Sequence, residues 1–453
     1  MDPGRETLGD GKEEFVISVR REGIPGLAVA VLLALTLAAC GGSSSSSSAG
    51  ASGGGASSSA AAASGGGGGG GGGAGNYGVL SCFSGRLASL GQAMLQGAKV
   101  AQKAIDAGGG VLGKQVQLSP EDTGCDLADS VPATQKLLSK GVSGVIGPET
   151  QEIAAVEPIL KNSKIIDEFQ GGDTHRDHQT DPFLFRDSPS DSQLGVAMAL
   201  YAHQKGYTRA ALLFYTDIAA QTLISPVMKT FEKLGGKIVA NVNVAPGQTS
   251  YVPQVQQVIA AKPQVIFTQT DAPTAAVLYR DFQQADNLAI PFVGTDVTGA
   301  SEYLKAVTFP TAHAHLVSVY GTSVTGQAND EFVKVFNGLY ANQQPLANAN
   351  YAYDAVVSLA LAQDAAGTSN GTKVAATMKQ VTNPPGTACY EYASCKALLA
   401  KHTKINYQGA SGDLDYNQYN NVFGPYGAFQ VDLKGNEHQI AVLSAKALAQ
   451  ATP

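Results

Sequence analysis

The chain has 453 residues, a net charge of −7 at neutral pH, no tryptophan and 44% hydrophobic residues. It carries no basic block, which sets nucleic acid aside as a partner, because phosphate binding needs clustered Lys or Arg. Mild acidity says nothing more about a ligand.

Residues 1–39 read as a secretory signal peptide. Arg20 and Arg21 give a positive flank, and Leu27 to Ala39 is an uncharged apolar stretch of thirteen residues. That length is short for a bilayer span and suits a signal core. The acidic stretch before Ser18 is long for a signal n-region and points to a start further in. The paired arginines are also a feature of twin-arginine export, but their flanks fit it poorly. Leu37-Ala38-Ala39-Cys40 resembles the lipobox of bacterial lipoproteins, which implies that Cys40 is lipidated and anchors the protein to a bacterial membrane from outside the cytoplasm. The rest of 40–75 is almost wholly Gly, Ser and Ala, with nine consecutive glycines from Gly65 to Gly73. Such a tract cannot offset the entropy of ordering. A Gly-rich coil of roughly 35 residues reaches about 30–35 Å, which makes it a tether.

Residues 76–453 are too many for one average core and suit two lobes. The pattern alternates strand and helix. Tyr77–Leu80 reads as a buried strand, and Leu90, Met94, Ala98, Ala101 and Ile105 recur at helical spacing up to Gly108-Gly109-Gly110. A strand over Gln115–Leu118, a helix over Ser130–Lys140 and an apolar run Val142–Ile146 ended by Gly147-Pro148 follow. A second series places strands at Ala210–Phe214, Ile238–Val244, Val265–Thr268 and Phe292–Val293. Helices over Ile218–Leu234, Tyr251–Ala261 and Pro273–Ala285 separate them. Two such series predict two doubly wound α/β lobes. Ligands of open parallel sheets bind beyond the carboxyl ends of the strands, so the loops there carry the functional expectations. No later apolar segment is long enough to span a membrane.

Cys82, Cys125, Cys389 and Cys395 allow three pairings. Cys389 and Cys395 lie six apart in a Pro/Gly-punctuated stretch, which favours a local loop. Cys82 and Cys125 each follow a predicted strand, and adjacent parallel strands would bring them together. The expected disulfides are therefore Cys82–Cys125 and Cys389–Cys395. The competing reading is a metal site, but no His stands at ligand spacing near either pair, so no metal or cofactor is expected.

Ser84-Gly85, Gly91, Gly97-Ala98, Gly108-Gly109, Gly113 and Asp122 together resemble the opening signature of the leucine/isoleucine/valine-binding protein family, the type I solute-binding proteins of ABC importers. Val145-Ile146-Gly147-Pro148 is similar to its third-strand motif, and Phe185 to Asp191 to its first interlobe crossing. Tyr351 to Ala355 and Gly409 to Leu414 resemble its late helix and closing segment. The resemblance runs in order from Asn76 to about Val431. It implies two α/β lobes joined by three crossovers, closing on a ligand like a hinge. The crossings fall near Asp187, Tyr320 and Tyr407. Lobe one is then 76–187 plus 321–406, and lobe two is 188–320 plus 407–453.

The resemblance also implies a small amino acid as ligand, aliphatic or branched-chain, and the permease of an ABC importer as partner. Its α-carboxylate positions fall on Thr150 and the loop Gly171-Gly172-Asp173-Thr174. Its ammonium partner falls on Asp296, where leucine binders usually carry a longer acid, with Asp271 as second choice. Tyr215 would form a cleft wall. Thr150, Thr174 and Asp296 also have a plainer reading as helix caps or turn residues, and Tyr215 as core. Asp173 fits an anion site poorly, since a second acid repels a carboxylate. Leu90 stands where the family often has an aromatic residue, and Ala219-Ala220 replace a common Tyr-Gly. These departures leave open an uncharged amide or urea-type solute, or a ligand-sensing receptor domain of the same fold. None of the common hydrolase, zinc-protease, P-loop or dinucleotide motifs is present, so an enzyme is not expected.

Overall fold

The computed structural model describes residues 72–322, 326–341 and 343–453. The signal segment, Cys40 and the tether up to residue 71 lie outside them. The first sheet contains β1 (Asn76–Ser81), β2 (Gln117–Asp122), β3 (Gly144–Ile146), β4 (Ile166–Glu168) and β5 (Leu184–Phe185), in the order β2-β1-β3-β4-β5. All four pairings are parallel. The second sheet starts with the parallel strands β6 (Arg209–Tyr215), β7 (Lys237–Val244), β8 (Val265–Gln269), β9 (Phe292–Gly294) and β10 (Leu316–Gly321). A short parallel pair, β11 (Thr387–Cys389) and β12 (Ile405–Tyr407), stands apart. The antiparallel strands β13 (Tyr426–Val431) and β14 (Glu437–Leu443) then extend the second sheet, whose order is β14-β13-β10-β9-β8-β6-β7.

Each sheet has its own core. One gathers side chains from β1, from helix Ala88–Ala107, from helix Ala349–Ala366 and from a late segment ending at Val422. The other runs from Leu194 to Val319 and from Tyr426 to Ala451. Helix Ala349–Ala366 is buried on nearly every side, as expected for a helix hydrophobic all round. Among the described residues, no helix is long and apolar enough to cross a membrane.

Four details differ from the sequence reading. β2 starts two residues later than expected and runs through Pro120 to Asp122. It is an edge strand, where proline is tolerated, so its polar end hid it. Gly72 to Gly75, assigned to the tether, are already docked: Gly73 N donates to Gly141 O (3.1 Å) and Gly75 N to Gln363 Oε1 (3.2 Å). The third crossing lies after Val422, not near Tyr407. Asp354 on the central helix holds Tyr407, Ala410 and Ser411, and Leu414, Tyr416 and Val422 are buried in the first core, so 407–422 belongs to lobe one. Finally, the chain makes two further strands, β13 and β14, on the far edge of the second sheet.

The cysteines pair as Cys82–Cys125 and Cys389–Cys395, with Cα separations of 4.9 and 5.4 Å. Cys82 directly follows β1 and Cys125 lies three residues beyond β2, its neighbour in the sheet.

Candidate functional site

Both sheets reverse their winding order at one point: β1/β3 in the first, β6/β8 in the second. Open α/β sheets place ligands beyond the carboxyl ends of their strands at such points. A cavity of about 120 Å³ lies there, lined by loops that follow β3, β4, β5, β6, β8, β9 and β10. That is smaller than the roughly 300–1,000 Å³ typical of drug-sized ligands and suits a small solute.

The first lobe brings Glu149 and Thr150 to the wall immediately after Gly147-Pro148. Gly147 has φ = 97°, and a Cβ there would stand 2.0 Å from Leu80 O; only glycine lets β3 turn so close to β1. The loop Gln170 to Gly172 packs on Thr150, since a Cβ on Gly171 would meet Thr150 N at 2.4 Å. Gly172 lines the cavity with Asp191 close against it. A Cβ on it would strike Asp191 Oδ1 at 2.0 Å, and Asp191 N donates to Gly172 O (2.8 Å). The loop expected to receive a carboxylate thus stands against one. Burial raises the Asp191 carboxyl to about 7, although Thr222 Oγ1 donates to it at 2.6 Å.

Asp173 and Thr174 are not among the residues lining the cavity. Asp173 turns the other way: it accepts from His175 N (2.9 Å) and meets His175 Nδ1 at 2.7 Å, capping the short turn Thr174–Arg176. A nearby capping partner is enough to draw a short acid out of the cleft.

The second lobe supplies Tyr215, Asp271 and Asp296. Tyr215 Oη donates to Asp271 Oδ2 (2.6 Å), while Asp271 Oδ1 accepts Thr274 N (3.0 Å) at the start of helix Ala272–Gln284. Asp271 is therefore both a helix cap and a cleft residue. Asp296 opens the short helix Asp296–Gly299, and its Oδ2 accepts Asn348 Nδ2 from the other lobe at 2.7 Å. Burial pushes its carboxyl up and Asn348 pulls it down, with the upward effect prevailing.

Several lining residues carried no sequence expectation. Glu149 is raised well above the usual carboxylate range by burial, then by the charges of Glu152 and Asp296. Its place after a strand-ending Gly-Pro was the signal that could have found it. Tyr320 stacks on Phe429 at 4.1 Å and donates to Glu437. Asn348 sits in a left-handed conformation (φ = 69°) at the start of the central helix, and nothing in its neighbourhood marks it as a cleft residue. Leu90 and Ala219, where the chain departs from the family pattern, both line the cavity.

A match to the family described as periplasmic binding protein covers residues 76–391. The chain belongs to that family. Among its relatives is the Leu/Ile/Val-binding protein homolog 1 of Brucella suis biovar 1, 26% identical over 302 residues, covering 66% of this chain and 80% of the relative. The fold is similar to that of the leucine binding protein LivK of Thermotoga maritima, with TM-score 0.70 and 20% identity over 82% of this chain and 98% of that one. It is also similar to LivJ of Streptococcus pneumoniae in complex with isoleucine (TM-score 0.68, 20% identity, 82% and 99% coverage). A solute binding protein of R. palustris in complex with benzoate is comparably similar (TM-score 0.68, 18% identity, 82% and 97% coverage). These likenesses show the fold that this periplasmic binding protein shares with them.

Proposed function

We propose that this periplasmic binding protein captures a small amino acid between its lobes by hinge closure and delivers it to the permease of an ABC importer. Lipid on Cys40 and the glycine-rich tether hold it at the outer face of a bacterial membrane. What supports the ligand class is the Asp296 carboxylate on the cavity wall, bridged by Asn348 from the opposite lobe, at the position to which the sequence resemblance assigns the ammonium. The relatives named for Leu, Ile and Val binding support an amino acid. The benzoate-bound neighbour is a reminder that the fold takes other acids, but a cavity lined by Glu149, Asp191 and Asp296 opposes a solute that offers only a carboxylate.

Truncating one partner of a buried charge pair costs about 2–5 kcal/mol, or roughly 30- to 4,000-fold in affinity. Asp296→Asn should therefore cripple amino-acid binding and leave the thermal midpoint of the ligand-free protein nearly unchanged. Calorimetric titration with an amino-acid panel, urea and short-chain amides decides it. Binding of an amide but no amino acid refutes the ligand class. For the anchor, wild type should incorporate a fatty-acid analogue in a bacterial host and Cys40→Ala should not; equal labelling refutes it.

A further inference from the structure

Two carboxylates face the same cavity from opposite lobes. Glu149 follows β3 of the first sheet, and Asp296 follows β9 of the second. Neither has a cationic partner among the described residues: the Glu149 carboxylate accepts only Ser81 Oγ at 3.3 Å, and that of Asp296 accepts Asn348 Nδ2. An independent sign of a polar guest lies beside them. Ser188, a residue 7% exposed, lines the same cavity, and its buried Oγ has no hydrogen-bond partner among the described residues. Buried hydroxyls are normally satisfied, so this one stands ready for a group that arrives with the solute.

Closing the lobes brings two like charges together in a space that excludes water, where their repulsion is poorly screened. One ammonium balances only one of them. A neutral zwitterion, with its own carboxylate, leaves one charge of this pair unbalanced.

We infer that Glu149 and Asp296 form a two-carboxylate clamp across the cleft, and that the solute carries net positive charge, in the class of basic amino acids rather than aliphatic ones. The inference rests on the reading of this cleft as an amino-acid site. Asp296 takes the α-ammonium and Glu149 the side-chain cation. The α-carboxylate goes to the hydroxyls of Thr150 and Ser188, the uncharged donors on the first-lobe wall and at the crossing.

Ornithine and norleucine test this, because their side chains have the same length and differ only in a terminal ammonium against a methyl group. By calorimetry, wild type should bind ornithine at least roughly 30-fold more tightly than norleucine, the low end for one buried charge pair. Glu149→Gln should erase that ratio while norleucine affinity stays the same or improves. Norleucine or leucine binding as tightly as ornithine overturns the inference, as does a ratio that survives in Glu149→Gln. The wild-type ratio is decisive even where the variant fails to fold. Leucine bound and ornithine rejected leaves the amino-acid reading standing and removes the clamp. Putrescine bound with every amino acid rejected keeps the clamp and removes the amino-acid reading. Rejection of the whole panel refutes both.

Discussion

Asp354 is the residue whose loss should damage this protein most without touching the ligand. Its buried carboxylate accepts Tyr407 Oη (2.7 Å), Ala410 N (3.0 Å), Ser411 N (2.7 Å) and Ser411 Oγ (2.5 Å). It therefore fastens the stretch leading into the third crossing to the central helix. Asp354→Ala leaves two backbone N–H groups without acceptors, and the two hydroxyls must find new ones. At about 1–3 kcal/mol for each orphaned donor, the two amides alone cost about 2–6 kcal/mol. Part is returned because a buried charge disappears, the Asp354 carboxyl being raised to about 6 by burial. A net loss of about 2–4 kcal/mol at neutral pH is expected, with Asp354→Asn losing roughly half as much because one oxygen remains an acceptor. Urea unfolding followed by circular dichroism measures it, since the chain has no tryptophan. The Ala410 and Ser411 amides should also exchange with solvent faster in both variants. An Asp354→Ala protein within about 0.5 kcal/mol of wild type, the usual range for an inconsequential surface change, would refute the view that this carboxylate fixes the segment.

Gly97→Ala should destabilise by about 1–3 kcal/mol through overpacking, because its Cβ would lie 1.9 Å from Ala349 O where two helices meet; an unchanged thermal midpoint contradicts this. Replacing Cys82 and Cys125 together by serine opens a closure of 43 residues and should cost about 4 kcal/mol by the chain-entropy relation, read by urea unfolding. The pH dependence follows from burial. Burial pushes the Asp191 and Asp354 carboxyls up to about 7 and about 6, above the usual aspartate range, and it raises Asp167, Glu168 and Asp187 as well. A raised carboxyl holds its proton more tightly when folded. Its contribution is therefore complete below the unfolded pKa and lost as pH rises through the folded one. The thermal midpoint of the ligand-free protein should climb as pH falls from about 8 to about 5, and a flat or falling midpoint in that window refutes this.

The alternation of strands and helices was legible because runs such as Ala210–Phe214 and Val265–Thr268 are both apolar and bounded by turn residues; β6 and β8 lie over them. What misled was polarity at edges and ends. β2 carries Pro120, Glu121 and Asp122, and the stretch after Tyr407 reads as loop although Asp354 binds it to the first lobe. In the site, the family resemblance pointed to Thr150 and Asp296 and the ends of predicted strands to Tyr215 and Asp271, and all four line the cavity. Asp173 follows a strand too, but whether it faces the cleft depended on His175, a contact two residues away that no strand pattern encodes. Asn348 reaches the cleft only through tertiary packing, so its role had no local signal.

Arg186 and Asn421, where the chain enters the first and third crossings, form a parallel bridge: Arg186 N donates to Asn420 O (2.9 Å) and Val422 N to Arg186 O (3.1 Å). Two connectors laced together cannot slide past each other without breaking these bonds. What they permit is a shared flex about the line on which both stand, as a door turns on two pins set in one post. Under the hinge closure proposed above, capture reduces to a single angular coordinate, and a solute is sensed by how far the door can swing shut on it.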